Sequence, residues 1–239
     1  MTKQPAAHIP HIGIIAGTAD GAALCYRTLC FQAEGLMGRH THPEITMHQL
    51  PLRDYLACID AGDWAGVAAL MTRSASLLAQ AGAELIVCPN NTLHRAFEFV
   101  ISPVTWLHIA EPVAAEAVRS GYRRVGLLGT QAVMQGAVYQ PIFERNGIPL
   151  VLPQPNKRTV LDAIIRTELV RGEYSPRSQR YVQDIISGMA ADGIDAVILG
   201  CTELPLLLAD VPGGLPLLDS TRLLARAALT SSSLVSISD

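Results

Sequence analysis

The sequence predicts an α/β fold of two similar domains with mainly parallel sheets, and two stretches of the chain carry this prediction. The apolar run Ile194–Leu199 is typical of a buried strand, and a helical pattern follows it from Glu203. The segment 83–94 has the same design, because its apolar strand also ends in small polar residues before a helical pattern. About 110 residues, roughly the size of a small α/β domain, separate Asn90 from Cys201. Two polar strand ends of this kind indicate a cleft between two related halves.

The length and composition of the chain exclude several classes of protein. Its 239 residues are enough for two small domains, and 49% hydrophobic with only 16% charged residues is typical of a compact α/β enzyme. A net charge of −3 is too small to predict nucleic acid or an anionic membrane as a partner. No run of about 18 apolar residues predicts a membrane span, and the residues before His11 contain no apolar signal core. Five irregularly spaced cysteines favour reduced cytoplasmic thiols over a disulfide framework.

The first half of the chain begins with a strand that runs into a glycine-containing turn. The apolar strand up to Ala16 is followed by Gly17 and Thr18, without the Gly-x-Gly-x-x-Gly spacing of a nucleotide-binding loop. A tight strand-to-helix turn is therefore the simpler interpretation of this glycine. Further along, the apolar spacing predicts a strand at 44–50 and a helix at 64–81.

The second half of the chain starts the same order again. A strand at 124–129 leads to Thr130, a helical pattern covers 134–146, and a further strand is predicted at 148–152. Alternating strands and helices favour parallel sheets with helices on their faces. The predicted domains are 1–105 together with the C-terminal helix 215–239, and 106–214.

Three closely spaced histidines, His40, His42 and His48, raise the possibility of a metal site. A metal centre needs three or four ligands, and no acidic or cysteine ligand with matching spacing accompanies these histidines. The sequence therefore predicts no bound metal.

Cys201 stands where a predicted strand ends and a helix begins. The backbone N–H groups at the start of a helix favour a thiolate over a thiol, so this position predicts a depressed thiol pKa and a reactive cysteine. The structural alternative is a buried cysteine that packs as a small hydrophobic residue.

The two polar strand ends resemble the two motifs of the cofactor-independent aspartate/glutamate racemases. Members of that family carry Pro-Cys-Asn-Thr-Ala-His in the first half and Gly-Cys-Thr-Glu in the second. This chain has Pro89-Asn90-Asn91-Thr92-Leu93-His94 and Gly200-Cys201-Thr202-Glu203. The second motif is intact, whereas Asn90 stands where the family has its first catalytic cysteine.

The resemblance covers nearly the whole chain and carries expectations about fold and activity. It implies two flavodoxin-like α/β domains related by a pseudo-two-fold axis, with the active site in the cleft between them. It also implies a racemase of the aspartate/glutamate class that uses no pyridoxal phosphate, other cofactor or metal. Such a protein would act on a small-molecule amino acid or dicarboxylate, and work as a cytoplasmic homodimer.

The resemblance also implies a set of site residues. Relatives place two cysteines on opposite faces of the substrate, one as thiolate base and the other as thiol acid. They also place an arginine near the substrate carboxylate, which a planar guanidinium binds bidentately. Carried over residue by residue, the candidate catalytic residues are Cys201 and Asn90, and the candidate substrate-binding residues are Asn91, Thr92, Thr130, Thr202, Arg53 and Thr18.

Asn90 breaks the expected symmetry, because a carboxamide neither gives nor takes a proton near neutral pH. Cys88 lies two residues upstream and would point the same way on a regular strand, so it is a possible substitute base. Three functions stay open at this point. They are a racemase with unequal faces, a single-cysteine lyase or isomerase on a related dicarboxylate, like the arylmalonate decarboxylases of the same superfamily, and a non-catalytic binder of an acidic metabolite.

Overall fold

The computed structural model describes residues 9–209 and 214–231, and its strands form two four-stranded parallel sheets. The strands are β1 (Ile12–Ala16), β2 (Ile45–Gln49), β3 (Leu85–Val87), β4 (Thr105–Leu107), β5 (Val125–Gly129), β6 (Leu150–Val151), β7 (Ala196–Gly200) and β8 (Leu217–Asp219). The first sheet has the order β2-β1-β3-β4 and the second has the order β6-β5-β7-β8, so one topology occurs twice. The predicted α/β fold of two similar halves is confirmed.

Helices connect the strands and flank the sheets. None of the described helices combines the length and the hydropathy that crossing a membrane requires. The α-helices are α1 (Ala19–Met37), α2 (Leu52–Asp60), α3 (Trp64–Gln80), α4 (Ala110–Arg119), α5 (Gln131–Met134), α6 (Gln140–Arg145), α7 (Pro155–Thr167), α8 (Pro176–Ala191), α9 (Leu204–Leu207) and α10 (Ser220–Thr230), and the 3₁₀ helices are Thr92–Phe99 and Leu169–Arg171.

The predicted strand at 44–50 and helix at 64–81 are confirmed by β2 and α3, but the continuous helix predicted at 134–146 is wrong. The chain leaves α5 after Met134 and starts α6 at Gln140. Between them, Gly136 turns so tightly that a Cβ there would lie 2.3 Å from the carbonyl oxygen of Ala132. Pro141 then stands in the first turn of α6, where proline favours the start of a new helix.

The central strands β1, β3, β5 and β7 are buried along their whole length, which explains their nearly continuous apolar sequences. One apolar cluster runs from Ile12 and Leu29 in the first half to Leu128 and Leu224 in the second half. A second cluster fills the other face of the first sheet, between β3 and α3. The two sheets therefore share one core rather than meeting only at a cleft.

The C-terminal segment contributes to both halves. β8 pairs with β7 in the second sheet, whereas α10 packs against α1 of the first half and against α4. The predicted return of the final helix thus has a counterpart in α10, but the strand before it belongs to the second sheet. The exact domain limits stay a prediction, and the parts of them at 1–8, 210–213 and 232–239 lie outside the described residues.

Candidate active site

Residues that follow β1, β3, β5 and β7 line one small cavity between the two sheets. Its volume is about 60 Å³, and both halves of the chain contribute to its wall. This arrangement follows from the topology, because the carboxyl ends of parallel strands share one edge of a sheet. Seven of the eight predicted site residues line it: Thr18, Asn90, Asn91, Thr92, Thr130, Cys201 and Thr202. The wall is completed by Ile165, Val170, Gly200 and Glu203.

Cys201 is a buried, hydrogen-bonded thiol. Its side chain is 6% exposed, and Sγ donates to Glu203 Oε2 at 3.0 Å. Burial, and then the Glu203 carboxylate, raise the pKa of the Cys201 thiol well above its ordinary value, although the backbone N–H groups of Glu203 and Leu204 act in the opposite direction. The predicted depressed pKa is therefore wrong. The helix that follows has only four residues, and its N–H groups do not outweigh desolvation and an adjacent carboxylate.

Glu203 joins the thiol to the first half of the chain. It is 3% exposed, and while Oε2 accepts from Cys201, Oε1 accepts from Thr18 Oγ1 at 2.5 Å. The Thr18 hydroxyl also lies 3.5 Å from Thr202 Oγ1. Thr202 is held closely against α1, because a Cβ at Gly21 would lie only 2.4 Å from its hydroxyl oxygen. A carboxylate thus stands between a thiol and a hydroxyl, and it accepts a hydrogen bond from each of them.

Asn90 is fixed by its own side chain. Oδ1 accepts from the backbone N–H of Leu93 at 3.1 Å, in the first turn of the 3₁₀ helix. Its amide packs against the turn after β1, where a Cβ at Gly17 would lie 2.4 Å from Asn90 Nδ2. Gly17 is therefore needed for the close approach of the amide rather than for binding a nucleotide. Asn90 presents to the cavity a group that binds hydrogen-bond partners but does not exchange protons.

The neighbouring Asn91 uses both ends of its amide inside the protein. Nδ2 donates to Ser220 Oγ at 3.0 Å, and Oδ1 accepts from the Tyr139 hydroxyl at 2.5 Å. Ser220 in turn donates to the carbonyl oxygen of Leu199 in β7 at 2.9 Å. Asn91 therefore ties the first strand end to the second sheet. Tyr139 and Ser220 carry no motif in the sequence, and only the fold brings them to this position.

Two threonine hydroxyls meet across the cleft beside these groups. Thr92 Oγ1 lies 3.1 Å from Thr130 Oγ1, and Thr130 Oγ1 also accepts from the backbone N–H of Val133 at 3.3 Å. Because either hydroxyl can donate, the pair can turn a proton toward a ligand oxygen in the cavity.

Comparison with known proteins identifies the family to which this arrangement belongs. A family model for Asp/Glu/hydantoin racemases matches residues 12–228. The chain belongs to this family. It is 28% identical over 173 residues to the glutamate racemase of Aquifex aeolicus (strain VF5), covering 64% of this chain and 60% of that protein. It is 24% identical over 159 residues to the broad-specificity amino-acid racemase of Bacillus subtilis (strain 168), covering 64% of this chain and 67% of that one.

Solved structures agree with the racemase-family fold. The crystal structure of an aspartate racemase homologue from Pyrococcus horikoshii OT3 superposes with a TM-score of 0.78 at 28% identity, covering 94% of this chain and 99% of that chain. The aspartate racemase of Picrophilus torridus has a TM-score of 0.73 at 19% identity, covering 93% and 94%. The predicted family and its two-domain fold are confirmed.

Arg53 is the one predicted site residue of this family member that the structure does not bring to the cavity. Its side chain is 87% exposed and pairs with Asp54. Tyr55, two residues further along α2, points into the core, so Arg53 lies on the opposite side of the helix. In this structure Arg53 therefore does not hold a substrate carboxylate.

Cys88 also lies away from the cavity. It is fully buried in the apolar cluster between β3 and α3, with Met71 and Ile86. Burial raises the pKa of its thiol. Because Pro89 and the turn at Asn90 interrupt the strand pattern after Val87, positions 88 and 90 do not share a face. These contacts favour the interpretation that Cys88 has a packing role.

Two of the three histidines considered as metal ligands bond other groups in the structure. His48 Nδ1 bonds Ser74 Oγ at 3.0 Å, and His42 Nδ1 bonds the carbonyl oxygen of Pro43 at 2.9 Å. Within residues 9–209 and 214–231, no group of three histidine, cysteine or acidic side chains is placed to hold a metal ion.

His94 supports the turn that carries Asn90. Its ring is 3% exposed, and Nδ1–H donates to the carbonyl oxygen of Asn90 at 2.9 Å. Burial, and then the neighbouring His108, lower the pKa of His94 to about 3, so the ring is neutral near pH 7.

This neutral histidine predicts a loss of stability in acid. The pKa of His94 in the folded state lies below its unfolded value of 6.5. The contribution of the neutral His94 ring to the free energy of unfolding is therefore present above pH 6.5 and is lost as the pH falls toward 3. The loss approaches about 1.4 kcal/mol per pH unit. His94→Asn keeps a donor near the Asn90 carbonyl but does not titrate. Between pH 7 and pH 4, the free energy of unfolding of this variant should therefore fall less than that of the wild type. The difference between the two decreases, measured by urea titrations, should be up to about 3 kcal/mol.

The control for this experiment is His40→Asn, which removes an exposed histidine and suits the positive φ of that residue. Its stability should follow the wild-type pH dependence. Parallel curves for wild type and His94→Asn would contradict the assignment to His94.

Proposed function

We propose that the protein is a cofactor-independent amino-acid racemase in which Cys201 exchanges the Cα proton on one face and the other face lacks a matching group. One observation carries the proposal: among the described residues that line the 60 Å³ cavity, Cys201 and Glu203 are the only ones with ionisable side chains. The named racemases among its relatives support the reaction type. The site supports faster proton exchange on one face of the substrate than on the other, because Asn90 occupies the position of the first cysteine.

The Cys201–Glu203 pair supports both directions of proton transfer. With its pKa raised, Cys201 is a thiol at neutral pH, and a thiol is the form that delivers a proton to a carbanion. For abstraction, Glu203 takes the thiol proton through the 3.0 Å hydrogen bond, and the resulting thiolate takes the Cα proton. Glu203 is then the acid, Cys201 is again a thiol, and the substrate carries the negative charge.

The other cavity residues would stabilise that charge. Loss of the Cα proton spreads negative charge onto the substrate carboxylate, and hydrogen-bond donors placed in advance lower its energy. The threonine hydroxyls and the Asn90 amide are donors in the cavity. Because Asn90 does not exchange protons, inversion would need a proton from a hydroxyl or water, and it should be slower than exchange on the Cys201 face.

Stereochemical exchange tests this proposal. Each enantiomer of a set of amino acids, including aspartate and glutamate, is incubated with the protein in D₂O and followed by proton NMR. We expect one enantiomer to lose its Cα proton signal much faster than the opposite enantiomer appears. Formation of the opposite enantiomer as fast as the Cα proton signal is lost would contradict unequal faces, and no exchange with any amino acid would contradict the racemase.

A second candidate is a single-cysteine decarboxylase acting on a disubstituted malonate. The same observation favours it, because loss of CO₂ creates a carbanion without a base and leaves only protonation to be done. Cys201 is a thiol suited to that step. Release of CO₂ from malonates without exchange of amino acids would select this function. Ligand-induced stabilisation without any turnover would instead indicate a binding protein. The proposed setting, a cytoplasmic homodimer, rests on the resemblance to the family.

A further inference from the structure

A second cavity continues from the catalytic one and has a different character. Its volume is about 140 Å³, and it shares Thr18, Asn90, Thr92, Thr130, Ile165 and Val170 with the smaller cavity. Much of its wall, including two of the shared residues, is aliphatic. This aliphatic chamber is formed by Leu52, Leu56, Ile59, Leu93, Ile165 and Val170.

The aliphatic chamber is built from both halves of the chain. Leu52, Leu56 and Ile59 follow the i, i+4, i+7 spacing that places them on one face of α2. Ile165 comes from α7 and Val170 from the 3₁₀ helix after it. A substrate held at Cys201 would therefore extend its side chain between the two halves.

The charges around the chamber do not favour a second carboxylate. Of the described residues in its wall, Arg166 is the only cation, and its guanidinium donates to Asp60 Oδ1 at 2.7 Å. Asp162 is also in the wall, where Oδ1 accepts from the backbone N–H of Gln131 at 2.8 Å. Two carboxylates thus face one guanidinium. An ionised side chain would enter a mainly apolar space without a free partner, which is unfavourable.

We infer that the substrate has an uncharged aliphatic side chain that occupies this chamber, rather than the side-chain carboxylate of aspartate or glutamate. At about 30 Å³ per water-sized group, the chamber accommodates on the order of four to five heavy atoms. The inference rests on the proposed function for the position of the reacting carbon at Cys201. It assigns the residues that select among substrates.

Substrate comparison tests the inference. The rate constant kcat/KM for Cα deuterium exchange is measured for alanine, valine, leucine, phenylalanine, aspartate and glutamate. Leucine should exceed glutamate by at least about 100-fold, and each buried methylene beyond alanine should add about fourfold. A preference for aspartate or glutamate would overturn the inference.

A charge inserted into the chamber gives a second test. Leu56→Arg places a cation beside the inferred side-chain position, so the leucine-to-glutamate ratio should fall by at least about 10-fold. Leu77→Arg is the matched control, because Leu77 is a similarly exposed helical leucine, 40% against 37%, that lines neither cavity. It should leave the ratio unchanged. A ratio unchanged in a folded Leu56→Arg variant would overturn the inference.

Binding without turnover separates this inference from the proposed function. The melting temperature is measured with 4-methylpentanoate and with glutarate. Stabilisation by 4-methylpentanoate alone supports the chamber even if no amino acid exchanges, in which case only the racemase proposal fails. Stronger stabilisation by glutarate, or no stabilisation by 4-methylpentanoate, would overturn the inference whatever the exchange assays give.

Discussion

Replacing Cys201 with alanine is expected to abolish Cα deuterium exchange for every substrate. Within the part of the chain that the structure describes, only Cys201 and Glu203 bring ionisable side chains to the cavity, and Cys201 is the one proposed to reach the reacting carbon. A general acid/base contributes about 10²–10⁴-fold to rate, so the remaining exchange should be below detection. Cys201→Ser should fail similarly, because a serine hydroxyl keeps the shape of the site but is a much weaker acid.

The control for this prediction is Cys88→Ala. It also removes a buried thiol, but one that packs in the apolar cluster behind β3. We expect some loss of stability and nearly unchanged exchange per folded molecule. If Cys88→Ala stops exchange while Cys201→Ala does not, the roles of the two thiols are reversed.

Replacing Asn90 with cysteine is expected to raise racemisation by about 10²–10⁴-fold, the contribution of one general acid/base. Position 90 and Cys201 already line the same cavity, and cysteine is smaller than asparagine, so it fits against Gly17. The variant loses the hydrogen bond from Leu93 N–H to Asn90 Oδ1, which should cost about 1 kcal/mol of stability. The measurement is the rate of formation of the opposite enantiomer, by chiral chromatography.

Asn90→Ser is the comparison for this gain. It is also small and also loses the amide, but a serine hydroxyl is a much weaker acid than a thiol. A gain in Asn90→Cys that Asn90→Ser does not share is therefore due to the thiol. Racemisation that stays at the wild-type rate in a folded Asn90→Cys variant would show that the missing cysteine is not what limits the second face.

The sequence predicted which residues line the cavity wherever they lie within three residues of the end of a buried parallel strand. Thr18, Asn90, Thr130 and Cys201 occupy such positions, and the strand order alone brings them to one edge. A local apolar pattern followed by small polar residues is sufficient to find them.

The failures concern properties that depend on orientation or on distant contacts. Arg53 was assigned by resemblance to a loop arginine of the family, but Tyr55 faces the core from α2, and Arg53 points outward from the opposite side of that helix. The pKa of Cys201 depends on its burial and on the rotamer of Glu203, and a sequence motif predicts neither of them. The chamber is formed by α2 and α7, which are about 100 residues apart in the sequence, so no local pattern predicts that they meet. The helical spacing of Leu52, Leu56 and Ile59 does indicate that these three residues share one face of a helix.

The continuous apolar cluster that spans the two sheets has a consequence for folding. Since α10 packs on α1 while β8 completes the second sheet, neither half has a finished core without the other. The free energy of unfolding then belongs to the chain as one cooperative unit rather than to two separable domains. Ser220, the first residue of α10, also bonds Asn91, so loosening this helix disturbs the cavity that Cys201 lines in the same event.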